Sequence, residues 1–181
     1  MSTKKADPRA IRSKRLLKEA VISILIETQS LQELTVQKVT ARAELNRATF
    51  YLHYVDMRDL MRTVVYDIHE DLSQKLSPLL RLERGNMEHL ITFLDYFYKH
   101  RKYLSVLFEE KAFQRKLQNF IEEFVQDRRD ALEIPEDKKM VSREIIAASI
   151  LGILMWWMRD GKNYSSEFIA EQMSQWIHNK L

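Results

Sequence analysis

Apolar side chains recur at intervals of three and four residues through most of this chain, which is the spacing of one face of a helix. Only 3 glycines and 3 prolines occur among the 181 residues, so few tight turns can interrupt that pattern. We therefore predict an all-α protein of about nine helices. It should comprise a small N-terminal domain, residues 1–55, and a C-terminal helical bundle, residues 56–181.

The first long helix is predicted over Ile11–Thr28. One side of it is apolar and its charged residues fall on the other side, as expected for a helix that packs through a single face. The apolar stripe comprises Leu17, Val21, Ile24 and Leu25.

Two short helices follow the first. Thr35 has a suitable side chain to cap one of them, and Asn46 to cap the other. In the second, Phe50 and Tyr54 lie one turn apart and can fold back onto the first. Helices of fewer than roughly 12 residues are marginal alone in water, so the three helices must share a core. This arrangement is typical of a helix-turn-helix DNA-binding domain.

The second short helix leaves small and hydrogen-bonding side chains outside its core face. Arg47 has the fork geometry that pairs with O6 and N7 of guanine. Hydroxyl and imidazole groups beside it suit phosphate oxygens. The outward set comprises Arg47, Ala48, Thr49, Tyr51 and His53.

This segment resembles the signature of the TetR/AcrR family of bacterial one-component regulators. The matching positions are Thr35, Ala43, Leu45, Thr49, Phe50, Tyr51, His53, Tyr54 and Leu60. The resemblance implies that residues 47–49 face bases or nearby phosphates, whereas Thr35, Tyr51 and His53 hold the DNA backbone. The full set of expected DNA-binding residues is Arg12, Arg15, Thr35, Lys38, Asn46, Arg47, Ala48, Thr49, Tyr51, His53 and Arg58.

Two positions depart from the family pattern. Glu44 stands where the turn commonly has glycine, which tolerates left-handed dihedral angles at low cost. Glu44 therefore implies either a turn closed without positive φ or a small strain. Met57 stands where many members place a lysine that reaches a phosphate. Arg58 can substitute for that lysine, although it points about 100° away around the helix.

Positive charge is concentrated at the N-terminal end. Residues 1–55 contain 10 of the 29 basic residues but only 5 of the 26 acidic residues. We expect residues 1–10 to form a basic arm that lies along DNA phosphates. For Lys4 and Lys5, a solvated and partly disordered chain end is the alternative.

The C-terminal bundle is predicted to begin with a helix capped by Asp56. Its apolar spacing and its punctuation by proline and glycine separate several helices. These are expected from Asp56 to about Lys75, from Asn86, over Arg101–Phe108, over Ala112–Leu132, over Val141–Arg159 and over Ser165–Leu181.

The last two helices are expected to form a symmetric homodimer through a four-helix interface. The first of them is apolar nearly all round, which indicates burial on several faces, and the resemblance implies the same use. A dimer would let two recognition helices read a palindromic operator in double-stranded DNA. The expected interface comprises Ala148, Leu151, Gly152, Met155, Met158, Ile169, Met173, Trp176 and Ile177.

The resemblance also implies a small hydrophobic or aromatic effector that binds in the C-terminal domain and releases the DNA. The alternative is that these aromatic residues are plain core, which is the commoner use of aromatics at helical spacing. The expected pocket comprises Tyr96, Phe97, Tyr103, Phe108, Phe120, Phe124 and Trp156.

Several classes of protein fit poorly. The chain has no cysteine, which excludes disulfides, thiolate zinc sites and cysteine nucleophiles, and we expect no metal, no cofactor and no enzymatic activity. The longest apolar stretch, Ile145–Met158, is shorter than the roughly 18 residues of a membrane span, and no signal-like segment is present. We expect no membrane association and a cytoplasmic location.

These patterns favour a DNA-binding transcriptional regulator, and the resemblance to the TetR/AcrR family implies that it is a repressor. Three alternatives stay open: a helical adaptor that retained the helix-turn-helix scaffold to bind a partner protein, a regulator without a ligand, and an activating regulator.

Overall fold

A computed structural model describes residues 7–78, 87–131, 133 and 141–178, except for the side chains of residues 176–178. Within those ranges the protein has eight α-helices and no strand, so the all-α prediction is confirmed. A 3₁₀ turn, Leu31–Glu33, connects the first two. The helices are α1 (Pro8–Thr28), α2 (Val36–Arg42), α3 (Arg47–Tyr51), α4 (Met57–Leu76), α5 (Met87–Leu107), α6 (Lys111–Ala131), α7 (Arg143–Arg159) and α8 (Ser166–His178).

One predicted break does not occur. The segment Arg101–Phe108 was expected to be a separate short helix, but α5 runs through it without interruption. No glycine or proline lies within α5, and its buried positions continue at the same helical spacing up to Leu107. The described residues therefore contain eight helices instead of about nine. The predicted start at Asn86 and most of the basic arm lie outside the described residues.

The N-terminal core joins the first helices as the sequence predicted. α1 packs against α2, and α2 against α3. Tyr54 is also buried, immediately after α3. The fully buried side chains are Leu17, Val21, Leu25, Val39, Phe50 and Leu60.

Each predicted N-cap is confirmed by a hydrogen bond from the third residue of its helix. The Oγ1 of Thr35 accepts that backbone N–H in α2 at 3.2 Å. The Oδ1 of Asn46 does so in α3 at 2.7 Å, and the Oδ1 of Asp56 in α4 at 2.8 Å. These bonds satisfy amide groups that a helix start leaves without partners, so they fix where the short helices begin.

The turn between α2 and α3 closes through a left-handed residue. Glu44 has φ of 54°, and its N–H donates to the carbonyl of Ala41 at 3.2 Å. The N–H of Leu45 donates to the carbonyl of Thr40 at 2.9 Å. This pair of bonds is the Schellman motif, which usually places glycine at the left-handed position. The structure thus selects the strained form of the turn.

The C-terminal helices pack around a second core. α5 contacts both α7 and α8, and α6 contacts α7. Arg101 of α5 donates through Nη1 to the carbonyl of Lys162 at 3.1 Å, and Ser166 donates to Oδ1 of Asp95 at 2.6 Å. These contacts hold the α7–α8 junction against α5.

Gly161 sits at a crowded point of that junction. A Cβ there would lie 3.1 Å from the side chain of Trp156 and 3.1 Å from the Cα of Trp157. The Nε1 of Trp157 also donates to the carbonyl of Tyr164 at 3.0 Å. The Trp-x-x-Asp-Gly sequence therefore permits a close return of the chain from α7 into α8.

The chain divides into two compact units within α4, Met1–Asp67 and Ile68–Leu181. The first half of α4 belongs to the N-terminal unit, because Leu60 is buried there and Asp67 forms an ion pair with Lys18 of α1. The predicted functional boundary after residue 55 stays a prediction. Among the described residues, none of the helices is both long and apolar enough to cross a bilayer.

Replacing Glu44 by glycine should stabilise the protein by up to about 1 kcal/mol, because the left-handed backbone is then adopted without a clash at Cβ. Urea denaturation followed by circular dichroism measures the change. Glu44→Ala is the matched control, since it removes the carboxylate but keeps Cβ. An equal gain in both variants would show that charge and not backbone strain is responsible.

Candidate nucleic-acid interface

The orientation of α3 is set by one aromatic side chain. Phe50 is fully buried, and its ring meets that of Tyr51 edge-on at 5.3 Å and that of Tyr54 at 5.7 Å. A helix of five residues has few other contacts that could fix its rotation. The burial of Phe50 therefore decides which side chains face outward.

The outward face of α3 carries Arg47 and Ala48, which were expected at bases or nearby phosphates, and Tyr51, which was expected at the DNA backbone. Arg47 and Ala48 are exposed, and Tyr51 is 52% exposed. The Nη2 of Arg47 donates to the hydroxyl of Tyr51 at 3.5 Å, the long limit for a hydrogen bond. The guanidinium carries five N–H donors, so donors remain for a nucleic acid.

Asn46 and Thr49 act first as a capping pair. Besides the backbone bond, the hydroxyl of Thr49 donates to Oδ1 of Asn46 at 2.9 Å, and Thr49 is half-buried. Oδ1 of Asn46 thus accepts hydrogen bonds from both the backbone N–H and the hydroxyl of Thr49. Their expected role in DNA binding is limited to the amide nitrogen of Asn46 and the lone pairs of the Thr49 hydroxyl.

The other expected backbone contacts have mixed surroundings. Thr35 is exposed, although its hydroxyl oxygen serves as the cap of α2. His53 is half-buried, with its ring 6.3 Å from that of Tyr54. Both are placed in the same unit as α3.

Several basic side chains of this unit already have acidic partners. Exposed ion pairs contribute little to stability and are screened by salt, so a phosphate can compete for such a cation. The pairs are Arg15 with Glu19, Lys18 with Asp67, Lys38 with Glu33, and Arg42 with Glu27. Arg15 and Lys38, both expected to bind DNA, must therefore exchange a carboxylate for a phosphate.

Arg12, Arg47 and Arg58 are differently placed. All three are exposed, and none belongs to an ion pair that the structure shows within its described ranges. Their full charge is available to an anion. They are the cations of the predicted set that need release no carboxylate first.

The start of α4 lacks the lysine expected from the resemblance, and two backbone amides near it are hydrogen-bonded to carboxylates. Met57 is half-exposed. Besides the cap by Asp56, the carboxylate of Asp59 accepts the N–H of Val55 at 3.2 Å. Two carboxylates thus lie where a helix start would otherwise favour a phosphate, and Arg58 is the cation that can offset them.

The structure adds two exposed apolar residues that the sequence prediction omitted. Leu52 is 79% exposed and Val55 is 82% exposed. For Leu52 the signal was present in the spacing, because it lies between the core residues Phe50 and Tyr54 and must point elsewhere.

Two tyrosines of the predicted effector pocket form a buried polar pair. Tyr96 and Tyr103 are each 5% exposed, with their hydroxyl oxygens 3.4 Å apart. The ring of His100 lies 4.6 Å from that of Tyr96 and 5.4 Å from that of Tyr103. Burial raises the pKa of both tyrosines and lowers the pKa of His100, which favours the neutral forms.

Four other predicted pocket residues occupy two environments. Phe97 and Phe108 are buried in the core, whereas Phe120 and Phe124 of α6 are half-buried. The ring of His69 lies 5.6 Å from that of Phe120, and its buried Nε2 finds no hydrogen-bond partner in the part of the chain that the structure describes. Burial lowers the pKa of His69, with a further contribution from Lys116.

Trp156 does not join that group. It is 42% exposed, and its ring lies 5.8 Å from that of Tyr164, which in turn stacks on Phe168 at 4.6 Å. The structure places Trp156 at the surface of the unit, so its predicted role in an interior pocket is corrected. Trp156, Tyr164 and Phe168 together are called the aromatic cluster below.

The predicted dimer residues separate into core and surface. Leu151, Met158, Ile169 and Met173 are buried within the chain itself, so they offer no surface to a second copy and their assignment is corrected. Ala148 and Gly152 are exposed and Met155 is half-buried. The side chains of Trp176 and Ile177 lie outside the described residues.

The surface of α7 also carries apolar residues that were not predicted. Ile145 is 57% exposed, and with Ala148, Gly152 and Trp156 it follows a spacing of three, four and four residues. That spacing is one face of a helix. Both faces of α7 are apolar, so the sequence does not distinguish them. Only the tertiary packing shows which face the neighbouring helices bury.

Comparison with known proteins gives the chain its family. Residues 86–179, more than half of the chain, match the family model TetR_C_8, the transcriptional regulator C-terminal region. The chain belongs to the TetR family of transcriptional regulators. The sequence resemblance is thereby confirmed, and the family members it matches are regulators rather than enzymes.

This TetR-family chain is similar to the following three proteins. A Bacillus subtilis (strain 168) HTH-type transcriptional regulator, YxbF, is 24% identical over 194 residues, which cover 98% of this chain and 47% of YxbF. The chain thus spans about half the length of that relative. A TetR transcriptional regulator from Streptococcus agalactiae 2603V has a TM-score of 0.68 at 22% identity, covering 93% and 95% of the two chains. The dihydroxyacetone kinase operon activator DhaS has a TM-score of 0.67 at 15% identity, covering 92% and 94%.

Proposed function

We propose that this TetR-family regulator binds a palindromic operator in double-stranded DNA as a homodimer, with α3 as the helix that reads bases. The observation that carries the proposal is the orientation of α3. Burial of Phe50 turns Arg47, Ala48 and Tyr51 outward on a helix that itself bears no carboxylate. Arginine is the side chain that most often pairs with guanine in the major groove.

Phosphate contacts would come from two groups of cations. Arg12 and Arg58 keep their full charge, whereas Arg15 and Lys38 would exchange carboxylates for phosphates. Each phosphate neutralised releases counterions, so affinity should fall steeply with salt. The hydroxyl of Tyr51 supplies a further donor at the edge of α3.

The homodimer is supported by the exposed apolar face of α7. A soluble protein rarely leaves contiguous apolar surface uncovered unless a partner binds there. Gly152 lies in the middle of this face, and a Cβ at that position would meet no atom within 4 Å. The protomer itself therefore does not require glycine there, whereas close approach of a second helix does.

An effector site is supported by the polar groups buried in the C-terminal unit. The hydroxyls of Tyr96 and Tyr103, together with Nε2 of His69, are hydrogen-bonding groups among aromatic rings. Such a mixture of apolar walls and a few polar anchors is characteristic of small-molecule sites. The proposed effector is a small hydrophobic or aromatic molecule whose binding releases the operator.

Repression in the cytoplasm is the proposed outcome of operator binding. Activation is the second candidate, because a protein described as an operon activator, DhaS, shares this fold. The sign depends on where the operator lies relative to a promoter, which is a property of the DNA. An in vitro transcription assay on an operator-bearing template separates the two outcomes.

Arg47→Ala should weaken binding to a duplex selected from a random pool by about 1–3 kcal/mol, with relaxed preference at one base position. Fluorescence anisotropy at several salt concentrations measures the loss. Arg115→Ala, which removes the same charge from an exposed site on α6, is the matched control. Binding that is insensitive to both salt and Arg47→Ala would contradict this function and favour a helical adaptor.

Gly152→Arg should convert the dimer to a monomer while keeping the helical content, because the side chain fits the free protomer but blocks a facing helix. Light scattering measures the mass in solution, and circular dichroism checks the fold. Asn119→Arg on the exposed side of α6 is the control for added bulk and charge. A dimer that persists in Gly152→Arg would show that another face associates.

Aromatic compounds that bind the C-terminal unit should raise its stability, by about 2.7 kcal/mol at a hundredfold excess over Kd, and should weaken operator affinity through the same coupling. Tyr103→Phe should reduce both effects, because it removes a buried hydroxyl. Tyr98→Phe, at a tyrosine of α5 that is 40% exposed, is the control. Unchanged melting and DNA affinity across the whole compound set would favour a regulator without a ligand.

A further inference from the structure

The outward face of α3 is partly apolar. Ala48 and Leu52 lie one turn apart on this face, beside Arg47 and Tyr51. The N–H of Leu52 donates to the carbonyl of Ala48 at 3.0 Å, so the helical geometry extends as far as Leu52. Both apolar side chains therefore point away from the buried Phe50, with Ala48 about 100° and Leu52 about 140° around the helix from Arg47.

The side chain of Leu52 does not contribute to the core of the protomer. It is 79% exposed, whereas the neighbouring core positions of this segment are taken by Phe50 and Tyr54. A single exposed leucine is ordinary on a protein surface. This one differs because it lies on the face that carries the proposed base contacts, with no carboxylate on that face.

The edges of the bases offer one apolar group that such a surface can contact. In the major groove, thymine presents its C5-methyl group, and apolar side chains contact it there. One helical turn of about 5.4 Å lies between one and two base steps of about 3.4 Å each. Ala48 and Leu52 can therefore reach methyl groups on adjacent or next-adjacent base pairs.

We propose that Ala48 and Leu52 read the C5-methyl groups of thymines next to the base contacted by Arg47, and that Leu52 is a specificity-determining residue. This inference rests on the proposed DNA binding by α3. Specificity at those positions then comes from burial of methyl groups and not from hydrogen bonds. The operator half-site would contain thymine where Leu52 lies.

The test uses a duplex selected from a random pool by the full chain, in which thymines are replaced one at a time by uracil. Uracil keeps every hydrogen bond of thymine and removes only the methyl group. At one or two positions in each half-site, this change should weaken binding about fourfold, the effect of one buried methyl group. Leu52→Ala should abolish the difference between thymine and uracil at its position.

Val55→Ala is the matched control, because Val55 is equally exposed but lies beyond the end of α3. It should keep the full difference between thymine and uracil. Circular dichroism checks that Leu52→Ala retains its helices, which is expected for an exposed side chain.

The outcomes separate this inference from the proposed function. If the chain binds its selected duplex through Arg47 but thymine and uracil are equivalent everywhere, methyl readout is overturned and DNA binding stands. If Leu52→Ala keeps the full difference, the assignment to Leu52 is overturned. If no duplex is enriched from the pool, the proposed function is overturned together with the inference.

Discussion

The burial of Phe50 is the constraint on which the proposed DNA-facing surface depends. α3 has five residues, and a helix of that length is unstable alone in water. Its position and rotation come from the ring of Phe50, which is closed in by Tyr54 on one side and by the packing of α3 on α2. The Asn46 cap fixes where the helix starts. Start and rotation together decide that Phe50 is buried while its neighbour Tyr51 is exposed to solvent.

In the C-terminal unit, α7 likewise has one buried side and one exposed side. α7 is apolar nearly all round, yet the protomer covers only one side of it, the side that carries Leu151, Leu154 and Met158. The uncovered side runs through Ala148 and Gly152 and ends at the aromatic cluster. Close packing at Gly161 holds the cluster in place, because it returns the chain tightly from α7 into α8. One helix thus supplies both part of the protomer core and the exposed apolar face on which the proposed dimer rests.

Fewer cations of the N-terminal unit are free of acidic partners than a count of its lysines and arginines suggests. Several cations pair with nearby carboxylates, and at the start of α4 the carboxylates of Asp56 and Asp59 accept backbone N–H groups on either side of the uncharged Met57. A duplex would therefore compete with internal carboxylates for part of its phosphate contacts. The free cations Arg12, Arg47 and Arg58 then carry a larger share of the electrostatic attraction.

The sequence by itself determined the all-α fold, three of the helix caps and the family, but it divided α5 wrongly at Arg101. Thr35, Asn46 and Asp56 could be recognised because capping is a local interaction, and Phe50 and Tyr54 because their spacing fits one helix face. Tertiary structure decided which of two apolar faces is buried, since hydrophobic spacing is the same for a core and for an interface. For that reason Leu151 and Ile169, which were predicted at the dimer interface, are found in the core, and Trp156, which was predicted in the pocket, is found at the surface. The tertiary structure also shows that Leu52 is exposed. It also decided the dihedral angle at Glu44, because the cost of a left-handed residue is balanced by hydrogen bonds that only the folded turn can form.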